Sequence, residues 1–264
     1  MISDYKHLFA GCFLMAFSFV CASTLWSDQN LQTEITYYGL FCFSIKDSNN
    51  RITLTDPFDA SEVGLSTHTV RPNTVIITHA QTKKKLIEIV KPPFQILNSY
   101  GNYRIMGILY NGIMTSKLNN MYLWDMDGIR FLHMGNLTQN KFNDGTLKKL
   151  QSIDVVFFPI GGYFKNRSDE IWDLISILQP SIVIPMYYQL PELPESFTLG
   201  NLDDFIQSYE GIIKNIGDRT LRINKENLPD QITIYILSHK EAEIPEATEK
   251  VIEELEENEI KEEE

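Results

Sequence analysis

The first half of the chain is built from short apolar runs separated by turn residues. Ile35 to Ile45 alternates apolar and polar positions and predicts one strand with Gly39 as a bend. Lys46 to Asn50 is turn chemistry, and Arg51 to Thr55 is the returning strand. Asp56-Pro57 ends it, because proline cannot continue a central ladder. Ala60 to Arg71 reads as loop, Val75 to Thr78 as a buried β-branched strand, and Lys83 to Val90 as a short helix. Phe94 to Leu97, Tyr103 to Tyr110 and Met121 to Trp124 predict further strands. Met126-Asp127-Gly128 is a tight-turn signal, after which Ile129 to His133 pairs back.

The second half alternates strand and helix. Gly145 to Leu150 begins a helix, and Ile153 to Pro159 is a continuous buried strand. Ser168 is suited to cap a helix whose apolar positions Ile171, Leu174, Ile175 and Leu178 share one face, and Pro180 stops it. Ser181 to Met186 is another buried strand, Leu202 to Tyr209 a helix, and Gln231 to Leu237 a last strand. A strand-rich half followed by an alternating half predicts an α/β fold of two packed sheets with helices outside them.

Both termini differ from this body. Leu8 to Val20 is almost wholly apolar, follows a short polar start, and leads into Cys21-Ala22-Ser23. This is the shape of a secretory signal spanning 1–22, cut after Ala22; the competing reading is an uncleaved membrane anchor over residues 8–26. Either reading predicts an exported body, periplasmic, secreted or membrane-anchored, over 23–240. The net charge is −12, of which Glu241 to Glu264 carries −10, so the body is near neutral and the tail acidic. That tail, 241–264, predicts a solvated helix or disordered segment able to engage a protein partner. No basic face is available for phosphate neutralisation, which excludes a nucleic-acid partner. Of the three cysteines, only Cys42 lies outside the N-terminal apolar run, and its apolar context predicts an inert buried thiol.

Six short motifs then fall in order: Tyr38-Gly39-Leu40-Phe41-Cys42-Phe43, Asp56-Pro57-Phe58, Val75 to His79, His133-Met134-Gly135-Asn136, Phe158 to Gly162, and Pro185-Met186-Tyr187-Tyr188. Together they resemble the metallo-β-lactamase superfamily, nearest its ascorbate-6-phosphate-lactonase-like branch. The resemblance spans roughly Ile35 to Leu237 and implies a four-layer αββα sandwich. It also implies metal-dependent hydrolysis, but the metal positions carry over poorly. The family's His-x-His-x-Asp-His motif falls on His79, Gln81, Lys83 and Lys84. Other ligand positions fall on Leu40, Asn111, Asn136 and Tyr187, while Gly39, Asp56, Pro57, Gly135, Pro159, Gly161, Pro185 and Met186 keep the scaffold.

Protonated lysines have no lone pair and repel a cation. The expected pocket is therefore His79, Gln81, Lys83, Lys84, Asn111, His133, Asn136, Tyr187 and Asp56, with no catalytic residue, no metal ligand and no cofactor. Its expected occupant is an unidentified ligand, a small anion held by the Lys83 to Lys85 run. On this reading the protein is a non-catalytic binding or structural module. The alternative is a hydrolase of lactones, esters or phosphodiesters with a reduced or atypical zinc or manganese site. Separately, a metal-free replacement activity would need His79 and Asp56 as a neighbouring acid–base pair, or Lys83 with a depressed pKa.

Overall fold

The computed structural model describes residues 31–66, 68–79 and 90–240. The N-terminal apolar run, the helix expected over Lys83 to Val90 (all but Val90 itself), the side chains of Gln81, Lys83 and Lys84, and the acidic tail lie outside the described residues. No helix among the described residues is long and apolar enough to cross a membrane.

Two sheets form the body. The first is six-stranded, in the order β13 (Thr220–Ile223), β1 (Thr33–Gly39), β2 (Cys42–Lys46), β3 (Ile52–Thr55), β4 (Thr74–Ile76), β5 (Gln95–Leu97). The second is eight-stranded, in the order β12 (Ile212–Asn215), β14 (Thr233–Ile236), β11 (Ile182–Met186), β10 (Val155–Pro159), β9 (Ile129–His133), β8 (Asn119–Met126), β7 (Ile108–Ser116), β6 (Gly101–Ile105). Helices α1 (Asp144–Lys149), α2 (Ser168–Leu178) and α3 (Leu202–Gln207) occupy connections of the second sheet. This is the α/β double-sheet arrangement expected of the metallo-β-lactamase type.

The sheets meet across an aromatic seam. Phe43 of β2 packs on Phe157 of β10 with centroids 4.5 Å apart, and Trp124 and Phe131 stack at 5.4 Å beside them. All four rings are buried. The period-2 alternation of strands explains the seam: Phe43 and Ile45 face the second sheet, whereas Cys42, Leu54 and Val75 form a separate apolar cluster with Ile77 and Val90. β10 and β11 lie parallel between parallel neighbours, which is why both read as unbroken apolar runs.

Several elements differ from the sequence expectation. The single strand expected over Ile35 to Ile45 is two antiparallel strands, because Gly39 (φ 106°) and Leu40 (φ 52°) both turn left-handed and reverse the chain. Tyr103 to Tyr110 likewise splits into β6 and β7 at Met106 (φ 49°) and Gly107 (φ 85°). This turn has positive φ at both central residues, as a type I′ hairpin does, and Met106 gives no such signal in sequence. Asp127-Gly128 repeats this geometry where the sequence announces it. β12 and β13 have no counterpart among the strands that the sequence predicts; β13 leaves the second half of the chain to pair with β1 in the first sheet.

The topology gathers strand ends. β3 and β4 run parallel, as do β9, β10 and β11, so Asp56, His79, His133, Gly161 and Tyr187 all lie at or just beyond carboxyl ends of strands. Clefts at such ends are where α/β sheets place their chemistry. The opposite end is stapled by Asp127, whose carboxylate accepts from Thr33 Oγ1 at 2.9 Å, Ser48 N at 2.8 Å and Ser48 Oγ at 2.7 Å. Phe157→Ala, which empties the centre of the seam, should lower unfolding stability by about 3–5 kcal/mol in urea denaturation.

Candidate functional site

The site is built outward from Asp56. Its backbone turns left-handed (φ 37°) directly after β3, and its N–H donates to Ile76 O at 2.8 Å. The buried carboxylate accepts the Thr78 N–H at 2.8 Å and the Thr78 hydroxyl at 2.6 Å. A buried carboxylate needs such donors to offset its desolvation. Thr78 Oγ1 lies 3.0 Å from His79 Nδ1, and Asp56 Oδ1 lies 3.6 Å from the same ring nitrogen. Because the Thr78 hydroxyl proton points to Asp56, its oxygen accepts from His79 Nδ1–H. The lone pair of the neutral ring then resides on Nε2.

Two backbone links hold this strand end against the second sheet. His79 bridges Asn119, and Asn120 N donates to Thr78 O at 2.8 Å. Asn119 is buried and donates its amide to Thr115 Oγ1 at 2.9 Å and Met134 O at 3.1 Å. Gly135 (φ 60°) lies where a Cβ would come within 2.5 Å of Asn119 Oδ1 and 2.6 Å of Thr78 Oγ1. Glycine is therefore required there by both space and backbone conformation.

His133 sits behind the cleft. Its Nε2 lies 3.1 Å from Phe41 O, and its Nδ1 accepts from Gly135 N at 3.2 Å. Complete burial pushes its pKa below the ordinary imidazole range, and the nearby His79 adds to this; Asp56 and the Phe41 carbonyl act in the opposite direction. In front, Phe41 stacks on Tyr187 with centroids 4.0 Å apart and lies 5.0 Å from the His79 ring. Tyr187 N donates to Leu40 O at 3.0 Å, which ties the β1–β2 turn to the end of β11. Burial raises the Tyr187 phenol above its ordinary value, so it stays protonated at neutral pH. A Cβ on Gly162 would lie 2.9 Å from the Tyr187 ring and 3.4 Å from Asn136 Oδ1, which places Asn136 on the same rim.

Of the residues expected to share a pocket, His79 lines a cavity, Asp56 and His133 lie near it, and Tyr187 is linked to it through Phe41, with Asn136 near Tyr187 beside Gly162. Asn111 is placed elsewhere, on β7, where its amide donates to Asn102 across the β6–β7 pair. Gln81, Lys83 and Lys84 lie outside the described residues. Thr78, Phe41 and Asn119 join the site without having been singled out. Thr78 and Phe41 read as ordinary strand residues, and Asn119 as ordinary turn chemistry, so only the tertiary contacts reveal them.

Zinc or manganese requires several imidazole or carboxylate donors converging at about 2.0–2.2 Å. Among the described residues no group of three or more His, Cys, Asp or Glu could hold a metal ion. His133 has both ring nitrogens against backbone partners, both Asp56 oxygens serve Thr78, and Tyr187 is neutral. These partners engage the described side chains, and the motif positions Gln81, Lys83 and Lys84 lie outside the described residues.

Comparison with known proteins places these observations. A family described as the beta-lactamase superfamily domain matches residues 34–187. A metal-dependent hydrolase of Natranaerobius thermophilus is 24% identical over 187 residues, 59% of this chain and 83% of the relative. One from Methanoculleus marisnigri is 25% identical over 213 residues, 67% of this chain and 88% of the relative. Among solved structures, a protein described as a zinc-dependent hydrolase of the metallo-β-lactamase superfamily from Thermotoga maritima aligns with TM-score 0.65 and 22% identity. That alignment covers 78% of this chain and all (100%) of the other.

These names overturn the expectation that no cofactor is involved: the relatives matched are metal-dependent hydrolases. The expectation transferred ligand positions one by one at low identity, and part of that motif, Gln81 to Lys84, falls outside the described residues.

Two outcomes test the geometry. The unfolded chain takes up a proton on His133 near the ordinary imidazole pKa of about 6.5, whereas the folded chain, with its lowered pKa, does so only at more acid pH. Stability should therefore fall as pH drops through about 6.5, and the loss should level off below the folded pKa. Urea denaturation of His133→Gln should show a flatter slope between about pH 7 and 5. Gly135→Ala should cost about 1–3 kcal/mol in the same measurement, because it strains the backbone and displaces Thr78 or Asn119.

Proposed function

Because the chain belongs to the metallo-β-lactamase superfamily, we propose that it is a hydrolase of a lactone, ester or phosphodiester, working at the cleft lined by His79. The observation that carries this reading is the Asp56–Thr78–His79 chain at a strand end. Asp56 fixes the Thr78 hydroxyl, the hydroxyl fixes the His79 tautomer, and the basic nitrogen is Nε2. An imidazole so oriented can take a proton from an attacking water, a role that contributes about 100- to 10,000-fold. His79 is then the catalytic residue, while Thr78 and Asp56 position it.

The relatives' names support metal dependence in this reading. The proton transfer assigned to His79 rests on its hydrogen-bonded position beside Thr78 and Asp56.

Turnover of lactone, ester and phosphodiester substrates by the full chain, with zinc or manganese supplied, tests this. His79→Ala should lower kcat by about 100- to 10,000-fold. Thr78→Val, which keeps the shape and removes the hydroxyl, should lower kcat with little change in KM. Metal content of the purified chain, read by elemental analysis, reports on metal dependence separately from rate. Absence of turnover in all three substrate classes with either metal would overturn the proposal.

A second reading, a module that binds a ligand without turning it over, is favoured by the Phe41–Tyr187 pair stacked in front of His79. Saturable ligand binding with no hydrolysis would select it.

A further inference from the structure

A small cavity of about 110 Å³ opens beside His79, lined by Ile77, Thr78, His79, Asn98, Lys117, Leu118 and Asn120. We propose that this cavity is an anion subsite that takes the phosphate or carboxylate group of a small substrate next to the bond that His79 hydrolyses. The subsite deepens the hydrolase reading and rests on it for the word substrate, but the binding it predicts can be measured alone.

The lining carries the argument. Among the described residues lining the cavity, Lys117 is the one lysine or arginine, and none is an aspartate or glutamate. The Asp56 carboxylate is close in the fold, but it is buried and both its oxygens are bonded to Thr78. An anion entering the cavity therefore finds a lysine, Lys117, and two residues with amide side chains, Asn98 and Asn120, among those around it. Amides and ammonium groups are hydrogen-bond donors suited to phosphate and carboxylate oxygens.

The ammonium is also presented by an ordered turn. Lys117 sits in the β7–β8 hairpin, where Leu118 N donates to Ser116 Oγ at 3.2 Å and Thr115 Oγ1 donates to Asn119 O at 3.1 Å. Asn119 in turn bridges His79. The turn that carries Lys117 and the strand end that carries the imidazole are thus joined through Asn119. Leu118, 71% exposed, adds apolar surface at the rim, which suits a substrate whose anionic end is attached to a carbon skeleton.

The test is titration calorimetry of the full chain with inorganic phosphate and, in a second arm, acetate, which separates phosphate from carboxylate recognition. Saturable binding should weaken about tenfold in Lys117→Ala, equivalent to 1.4 kcal/mol, and should weaken further with added salt. Lys117 is exposed, so its loss leaves the fold intact; Lys148→Ala, on α1, should leave binding unchanged. In turnover assays, the kcat/KM preference for an anionic ester over its neutral analogue should collapse in Lys117→Ala. Binding of phosphate or acetate that depends on Lys117 supports the subsite even where no substrate is turned over. Absence of binding by either ion, or binding indifferent to Lys117, overturns it even where hydrolysis is found.

Discussion

A carboxylate removed from water must be met by donors, and Asp56 meets two from a single neighbour. Thr78 N and Thr78 Oγ1 bond its two oxygens at 2.8 Å and 2.6 Å. The desolvation cost of a lone buried carboxylate is several kcal/mol, so the arrangement leaves Thr78 little rotational freedom. With the Thr78 hydroxyl committed to Asp56, its oxygen accepts from His79 Nδ1. One buried charge thereby sets the position of a strand end, the rotamer of a threonine and the protonation pattern of a histidine.

That arrangement is useful only because the two sheets are held in register around it. The Phe43–Phe157 contact and the Trp124–Phe131 stack fill the space between the sheets, and His133 packs 5.6 Å from Phe157 at the edge of the same seam. Gly135 lets the β9 end approach Thr78 and Asn119 closely. The His79–Asn119 bridge then joins the ends of the two sheets. Packing inside the sandwich and polar geometry at its edge are consecutive parts of one structure.

In front of His79, aromatic carbon occupies the space around the cleft. Phe41 and Tyr187 come from distant parts of the chain and meet because the β1–β2 turn hydrogen-bonds the end of β11 through Leu40 O and Tyr187 N. Gly161 permits this approach, since a Cβ there would lie 2.1 Å from Tyr187 O. Gly135 and Gly161 thus let backbone from separate elements approach closely at the mouth of the cleft.

Sequence alone determined what local pattern can encode. The buried parallel strands β10 and β11, the turn at Asp127-Gly128, the helix over Ser168–Leu178 and the strand-end position of His79 follow from periodicity and turn chemistry. The ordered motifs also pointed to the superfamily and its double-sheet fold. Tertiary structure decided the rest. Met106 adopts a hairpin turn that its side chain does not advertise, β13 crosses to the other sheet, and Asn119 rather than Asn111 arrives beside His79. Each of these depends on which distant strand pairs with which. That pairing is set by burial summed over a whole sheet, so it cannot be read from any one stretch of residues.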